Sequence, residues 1–188
     1  MFRLLEGKNV NLRVAEKEDL PLLQEWTNNP EFMGEFQPPT QWTKAELEKM
    51  ESSPFEPKVF IIEKKDGSKI GYTVHYNSYL GTGKLLEIGY ALLPSERGKG
   101  YCTEAVQLMV DYLFLSMDVS RVQATISIRN KASERVLEKA GFTREGIIRK
   151  TARGERRDAY LYSILREEWK EPKILTKLLK NNSSKAGV

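Results

Sequence analysis

Alternating and helically spaced apolar positions divide the chain into segments that predict its elements. Asn9 to Val14 alternates and predicts a first strand. In Asp19 to Asn28, Leu20, Leu22, Leu23 and Trp26 form a helical stripe, and Pro21 is tolerated in the first turn. Asn29 to Thr40 holds three prolines and a glycine and reads as a loop, after which Thr43 to Glu51 begins a short helix. Lys58 to Glu63 and Lys69 to Tyr76 read as strands joined by the turn Lys65-Asp66-Gly67-Ser68, a hairpin signal. Leu85 to Leu93 is the next strand. The helical stretch from Gly100 to about Met117 carries Ala105, Val106, Met109 and Leu113 over most of its faces, which predicts deep burial. A strand from Val122 to Ile128 then leads to Asn130, a good N-cap. Ser133, Val136, Leu137 and Ala140 share one face of the helix that follows, and Gly141 is placed to end it. Thr143 to Leu165 reads as a closing pair of strands turning near Gly154.

Strands before helices, then alternating helices and strands, predict an α/β or α+β sheet with helices on both faces. One domain is expected over residues 1–171, with a Lys-rich tail over 172–188. The tail opens on a helical turn, Ile174 to Leu179, and ends in the polar run Asn181 to Val188, expected to be disordered. There is no internal repeat.

Composition narrows the class. A chain of 188 residues with 40% hydrophobic content can bury one proper core. No apolar run approaches a membrane span, and the start Met1 to Glu6 is too short and too soon acidic for a signal peptide. One cysteine makes no internal disulfide, which points to a reducing cytoplasm. One histidine and one cysteine argue against a zinc site, so no metal is expected. Charge is uneven: residues 1–57 hold 6 Lys/Arg against 11 Asp/Glu, and residues 58–188 hold 24 against 15. The acidic part suits a cationic amine or basic polypeptide and the basic part a phosphorylated ligand, unless both are solvated surface.

Candidate chemistry concentrates in Pro94-Ser95-Glu96-Arg97-Gly98-Lys99-Gly100-Tyr101-Cys102-Thr103-Glu104-Ala105, between a strand and a long helix. Two glycines one residue apart let backbone approach a bulky ligand, and the first helical turn offers free N–H groups to an anion. Arg97 and Lys99 add positive charge. The run lacks the GxxxxGK[ST] spacing of a P-loop, and Thr103 stands where a dinucleotide fingerprint needs its third glycine. Glycines, free amides and positive charge together point to a pyrophosphate cradle.

This run resembles the acetyl-CoA-binding motif of the GNAT superfamily of N-acetyltransferases, (Gln/Arg)-x-x-Gly-x-(Gly/Ala). Gly98, Gly100 and the preceding Pro94 fit, while Ser95 departs from the first position. Asn130 to Phe142 resembles the other half of the same site, N-x-x-S followed by E-K-x-G-F. The pair of blocks, with the opening Gly7 to Val14 and the late Asp158 to Trp169, resembles the ribosomal-protein N-acetyltransferase (RimJ/RimL-like) branch. The resemblance implies the GNAT fold, a mixed and mostly antiparallel central sheet flanked by helices. It implies direct transfer of an acetyl group from acetyl-CoA to a primary amine in a ternary complex. It further implies that strand amides at Tyr90, Ala91 and Leu92 serve the carbonyl and pantetheine arm, that Glu96, Arg97, Gly98, Lys99, Gly100, Tyr101 and Cys102 take the pyrophosphate, and that Asn130 bonds the pantetheine. Lys99, Lys131 and Arg135 either reach the 3′-phosphate of CoA or are solvated charges.

The acid and base carry over incompletely. Bacterial N-terminal alanine acetyltransferases use a tyrosine seven residues after the motif asparagine and a glutamate five before it; those positions here are Leu137 and Thr125. The serine given the acid role in RimL-like enzymes matches Ser133, for which a hydrogen bond to the sulfur is the safer role. For the base, Glu87 on the central strand ranks first, unless it faces outward and pairs with a neighbouring Lys or Arg, and Asp158 second. A water chain is the alternative to either. Cys102 as an acetylated nucleophile is disfavoured, since direct transfer needs no such intermediate. His75, between Val74 and Tyr76, reads as packed or exposed and not catalytic.

In the family the early helices line the acceptor groove. Trp26, Phe32, Phe36 and Trp42 beside Glu31 and Glu35 suit an amine, or else the aromatics plug a small core. The acceptor is either a protein N-terminal or peptide amine, which the branch favours, or a small amine such as a polyamine, amino acid derivative or antibiotic. A non-catalytic acyl-CoA sensor is the rival class. Nucleic-acid binding through Arg153, Arg156 and Arg157 lacks an aromatic-basic motif. No membrane partner is expected, and a homodimer is left open.

Overall fold

The computed structural model describes residues 4–37, 41–52, 57–78, 85–152 and 157–175. Strands β1 (Leu4–Glu6) and β2 (Val10–Val14) are followed by helices α1 (Leu20–Asn28), α2 (Pro30–Met33) and α3 (Lys44–Ser52). Next come β3 (Lys58–Lys64), β4 (Lys69–Asn77) and β5 (Leu86–Leu92), then α4 (Tyr101–Ser116) and β6 (Arg121–Ser127). The series closes with α5 (Lys131–Lys139), β7 (Thr143–Ala152) and β8 (Arg157–Leu165). All eight strands form one sheet in the order β1-β2-β3-β4-β5-β6-β8-β7. Every neighbouring pair is antiparallel except β5 and β6. The expected mixed, mostly antiparallel sheet is present, with two additions: the three-residue edge strand β1, and helix α2 inside the segment read as a loop. The Gly154 turn and the run Asn181 to Val188 lie outside the described residues. Of the expected turn Ile174 to Leu179, residues 174 and 175 have no regular structure and the rest lie outside as well.

Alternation assigns the two faces, broken in β4 by the register shift opposite Ile62 and Glu63, which puts Ile70 and Tyr72 on different sides. Phe60, Ile62, Ile70, Leu86, Ile88, Val122, Ala124, Tyr162 and Ile164 pack against α4 and α5 residues such as Val106, Met109, Leu113 and Leu137. The neighbouring positions Ile61, Val59, Tyr72 and Ala91 face the other way and meet Leu20, Leu23, Trp26, Phe32 and Leu47 from α1, α2 and α3. Helix α4 is apolar on most sides because it is covered on most sides. Even its buried acid is enclosed: Asp111, 2% exposed, accepts from the Trp169 indole and from the amides of Lys173 and Ile174. Leu175 N–H then donates to Glu6 O at 2.8 Å, so the chain after β8 is strapped over α4 as far as the β1 edge. In the same half of the sheet, buried Asp19 ties the start of α1 to Arg13 of β2 at 2.8 Å and Lys69 of β4 at 2.6 Å. Those two cations hold the Asp19 carboxyl well below its ordinary range despite burial.

Candidate active site

The site begins where the one parallel ladder stops. β5 and β6 share only the registers Leu86↔Val122 and Glu87↔Gln123. Beyond them β5 stays with β4 as far as Leu92↔Gly71, while β6 stays with β8 as far as Ser127↔Ala159. A wedge therefore opens between the two strands. Leu93 N–H donates to Ile70 O at 2.9 Å, and Ser78 N–H to Leu85 O at 2.9 Å, so odd-numbered β5 residues bond towards β4. By alternation the backbones of Tyr90 and Leu92 face the wedge and that of Ala91 faces β4. Of the three strand positions expected to offer amides, two are aimed there.

Next to the wedge, Pro94–Glu96 forms a single 3₁₀ turn, and Gly98 and Gly100 take φ of +78° and +86°. A Cβ at either glycine would meet nothing within 4 Å. Left-handed backbone, not crowding, calls for glycine here, and the space above the loop is open. Glu104 N–H bonds back to Gly100 O at 3.2 Å, so the amides of Tyr101, Cys102 and Thr103 begin α4 without intrahelical acceptors. The side chains are arranged differently from expectation. Lys99 pairs with Glu96 at 3.1 Å. Arg97 turns away from the open amides: its Nε donates to Leu92 O at 3.1 Å and its Nη2 to Glu31 O at 3.3 Å and Phe32 O at 2.7 Å. Its guanidinium is committed to carbonyls, which corrects its placement among phosphate-facing side chains. Burial pushes the Cys102 thiol up to about 12, against the opposing pull of Arg97, so it is protonated at neutral pH.

From the other wall, Asn130 caps α5, its Oδ1 accepting from Ser133 N–H at 3.0 Å. Ser133 is 7% exposed, and its hydroxyl lies 2.6 Å from the Tyr90 hydroxyl. Burial pushes the Tyr90 phenol well above its ordinary value. The fold thus joins two residues that the sequence places in separate motifs. Leu137 is wholly buried in the core. Lys131 pairs with Glu134 at 2.7 Å, and Arg135 is exposed on the same helix.

Glu87 sits on the last rung before the wedge. Among the described residues it pairs with no Lys or Arg; its Oε2 accepts from Gln123 Nε2 at 3.2 Å and from the Ser78 hydroxyl at 3.4 Å. Gln123, 1% exposed, is itself oriented by Arg121 Nη2, which donates to its Oε1 at 3.1 Å. Arg121 is gripped by both oxygens of Glu145 at 2.9 and 3.0 Å. Sequence reading passed over this chain, although a glutamine between Val122 and Ala124 on a buried strand was its signal. Asp158 stands apart from it, accepting from Lys150 N–H at 3.1 Å where Lys150 takes a φ of +58°. That contact supports the β7–β8 hairpin.

The early aromatics are divided. Trp26 and Phe32 stack at 5.1 Å and Phe32 and Tyr72 at 5.9 Å, with Trp26 and Phe32 only 3% and 2% exposed. They form the second core, and their faces are taken. Their remaining surface, with Glu25, Asn29, Glu31, Leu93, Pro94 and Ser95, lines a cavity of about 200 Å³. Glu35 and Phe36 do not line it; Glu35 reaches Arg129, the residue before Asn130, at 3.9 Å.

The acetyltransferase (GNAT) domain family matches residues 9–143, and the chain belongs to that family. It is an N-acetyltransferase of the GNAT type. It is 33% identical to the uncharacterized N-acetyltransferase YnaD of Bacillus subtilis over 168 residues, covering 86% of this chain and 96% of that one. Among solved structures, RimJ of Mycobacterium smegmatis in complex with CoA-disulfide superposes with a TM-score of 0.71 at 24% identity, covering 92% and 88%. The aminoglycoside acetyltransferase AAC(6')-Ib in complex with ribostamycin and coenzyme A superposes at 0.69 with 27% identity, covering 86% and 96%. The likeness to RimJ is one of fold, and the aminoglycoside enzyme shares that fold to a similar degree.

Proposed function

We propose that this protein moves an acetyl group from acetyl-CoA directly to the N-terminal amine of a protein or peptide. The observation that carries the reading is the continuity of two sets of backbone donors without backbone acceptors among the described residues: the Gly98 to Cys102 amides and the wedge-facing amides of Tyr90 and Leu92. The first set suits a pyrophosphate at the start of a 16-residue helix. The second suits an extended pantetheine arm added beside β5, with the Tyr90 amide bonding the thioester carbonyl as its oxygen gains charge. Asn130 spends its Oδ1 on Ser133, which leaves its Nδ2 group to donate to the arm.

In this reading Glu87 accepts the proton of the incoming ammonium, and Gln123 holds the carboxylate in place. The amine nitrogen attacks the carbonyl carbon, the C–N bond forms and the C–S bond breaks. The Tyr90–Ser133 hydroxyl pair donates a hydrogen bond to the departing sulfur, and the proton that the nitrogen sheds on becoming an amide ends on that sulfur as the thiol hydrogen. Burial keeps Tyr90 neutral and able to donate. The peptide acceptor is supported by the RimJ likeness. A small cationic amine is the second reading, supported by Glu25 and Glu31 at a cavity of only about 200 Å³.

Free-thiol release from acetyl-CoA, followed with N-terminally varied peptides, polyamines and aminoglycosides, separates the two. Release with peptides alone is expected, and release with polyamines or aminoglycosides alone overturns the acceptor assignment. Glu87→Gln should lower kcat by about 100-fold, within the range for a lost general base. An unchanged rate would remove Glu87 from the mechanism while leaving the transfer reaction intact.

A further inference from the structure

Arg97 lies in the glycine loop, yet its guanidinium is spent on the acceptor side. One edge holds the last carbonyl of β5, Leu92 O, and the other holds Glu31 O and Phe32 O in α2. Those two carbonyls belong to the last turn of a helix of four residues that ends at Gly34, φ +73°. Carbonyls at a helix end lack intrahelical donors, and a cation there is favoured. A planar fork can serve β5 and α2 together, which a lysine cannot. Phe32 in turn stacks on Trp26 and Tyr72, and Trp26, Glu31, Phe32, Leu93 and Pro94 line the same cavity. Leu93, Pro94 and Ser95 carry that wall directly into the donor loop, and among the described residues Arg97 supplies the hydrogen bonds that join α2 to it.

We propose that Arg97 is a positioning residue that transmits occupancy of the donor loop to the acceptor wall, so that α2, already seated through Phe32, is held more tightly once the loop is engaged. This rests on the reading of the Gly98 to Cys102 amides as the CoA cradle. Fixing the loop backbone fixes the base of the Arg97 side chain, which holds α2 against β5. By linkage, an ordered α2 also favours the loop conformation that binds the donor.

Hydrogen exchange tests this without any acceptor, through the Met33 and Gly34 amides, which bond to Asn29 O and Pro30 O. CoA should slow exchange at residues 98–104 and also at 31–34 in the wild-type protein. In Arg97→Gln and Arg97→Lys, CoA should bind within about threefold of the wild-type affinity and still protect 98–104, while protection of 31–34 is lost. With an acceptor in hand, both variants should raise its KM by about tenfold and leave the KM for acetyl-CoA nearly unchanged. Protection of 31–34 that survives in both variants overturns the proposal, as does its absence in the wild type. A CoA affinity that falls sharply in Arg97→Gln and is kept in Arg97→Lys overturns it too, making Arg97 a phosphate ligand by charge. Failure of CoA to protect 98–104 in the wild type would strike the cradle itself, a separate result.

Discussion

His75 gives the most quantitative handle on this fold. It is 4% exposed on β4, its ring 6.1 Å from Phe60 and 6.0 Å from Tyr112, and its Nε2 finds no hydrogen-bond partner among the described residues. Burial, aided by the charge of Lys58, lowers its pKa from 6.5 to about 4. Between those values the unfolded chain binds a proton that the folded one refuses, so stability falls as pH drops from 6.5 towards 4 and is unaffected by this group above 6.5. At about 1.4 kcal/mol per pH unit the whole gap is worth about 3 kcal/mol, and about 2 kcal/mol of it is lost by pH 5. His75→Phe removes the proton site at similar volume and keeps an aromatic between Phe60 and Tyr112. Urea denaturation at pH 7 and pH 5 should show the wild type losing about 2 kcal/mol more than the variant over that interval. The comparison cancels the carboxylates common to both proteins. Equal losses would mean that His75 takes up its proton without unfolding, and the packing argument would be wrong.

Two further outcomes follow from buried groups outside the proposed proton path. Asp111→Ala leaves the Trp169 indole and the Lys173 and Ile174 amides without their acceptor, a loss of about 3 kcal/mol or more. It should expose Lys170 and Lys173 to rapid trypsin cleavage; a variant as resistant as the wild type would show that the strap is held elsewhere. Cys102→Ala should keep kcat/KM within about threefold, because a thiol titrating near 12 is protonated at neutral pH and direct transfer does not need it. A drop beyond 100-fold, with an acetylated cysteine seen by mass spectrometry in the wild type, would establish a covalent route instead.

The hairpin of β3 and β4 was legible because alternation and an Asp-Gly turn agree locally, and α5 because Asn130 and Gly141 bracket an amphipathic run. Helix α2 was missed despite its signals. Asn29 accepts from Glu31 N–H at 2.8 Å, Pro30 opens the helix and Gly34 ends it, but four residues give no periodicity to read. β1 escaped for the same reason, being three residues recognisable only through its pairing with β2. The glycine loop showed where donors are exposed, since φ preference is a local property. It did not show where Arg97 points, because two of the acceptors of that side chain lie 65 and 66 positions earlier. Trp26 and Phe32 behaved likewise: an aromatic beside a carboxylate looks the same in a groove or a core until the partner ring, Tyr72, is placed.

The brevity of the β5/β6 ladder has a mechanical consequence. Two rungs join a five-stranded plate, β1 to β5, to a three-stranded plate, β6, β8 and β7, and each plate is otherwise closed by long antiparallel ladders. Parting the plates breaks those two rungs, the Gln123–Glu87 and Tyr90–Ser133 contacts, and the apolar packing that α4 and α5 share with both plates. The seam is thus the ladder of the sheet with the fewest backbone rungs, held closed by side chains and helices. A ligand lying in the wedge acts as a splint across it, so occupancy stiffens the joint and leaves each plate as it was.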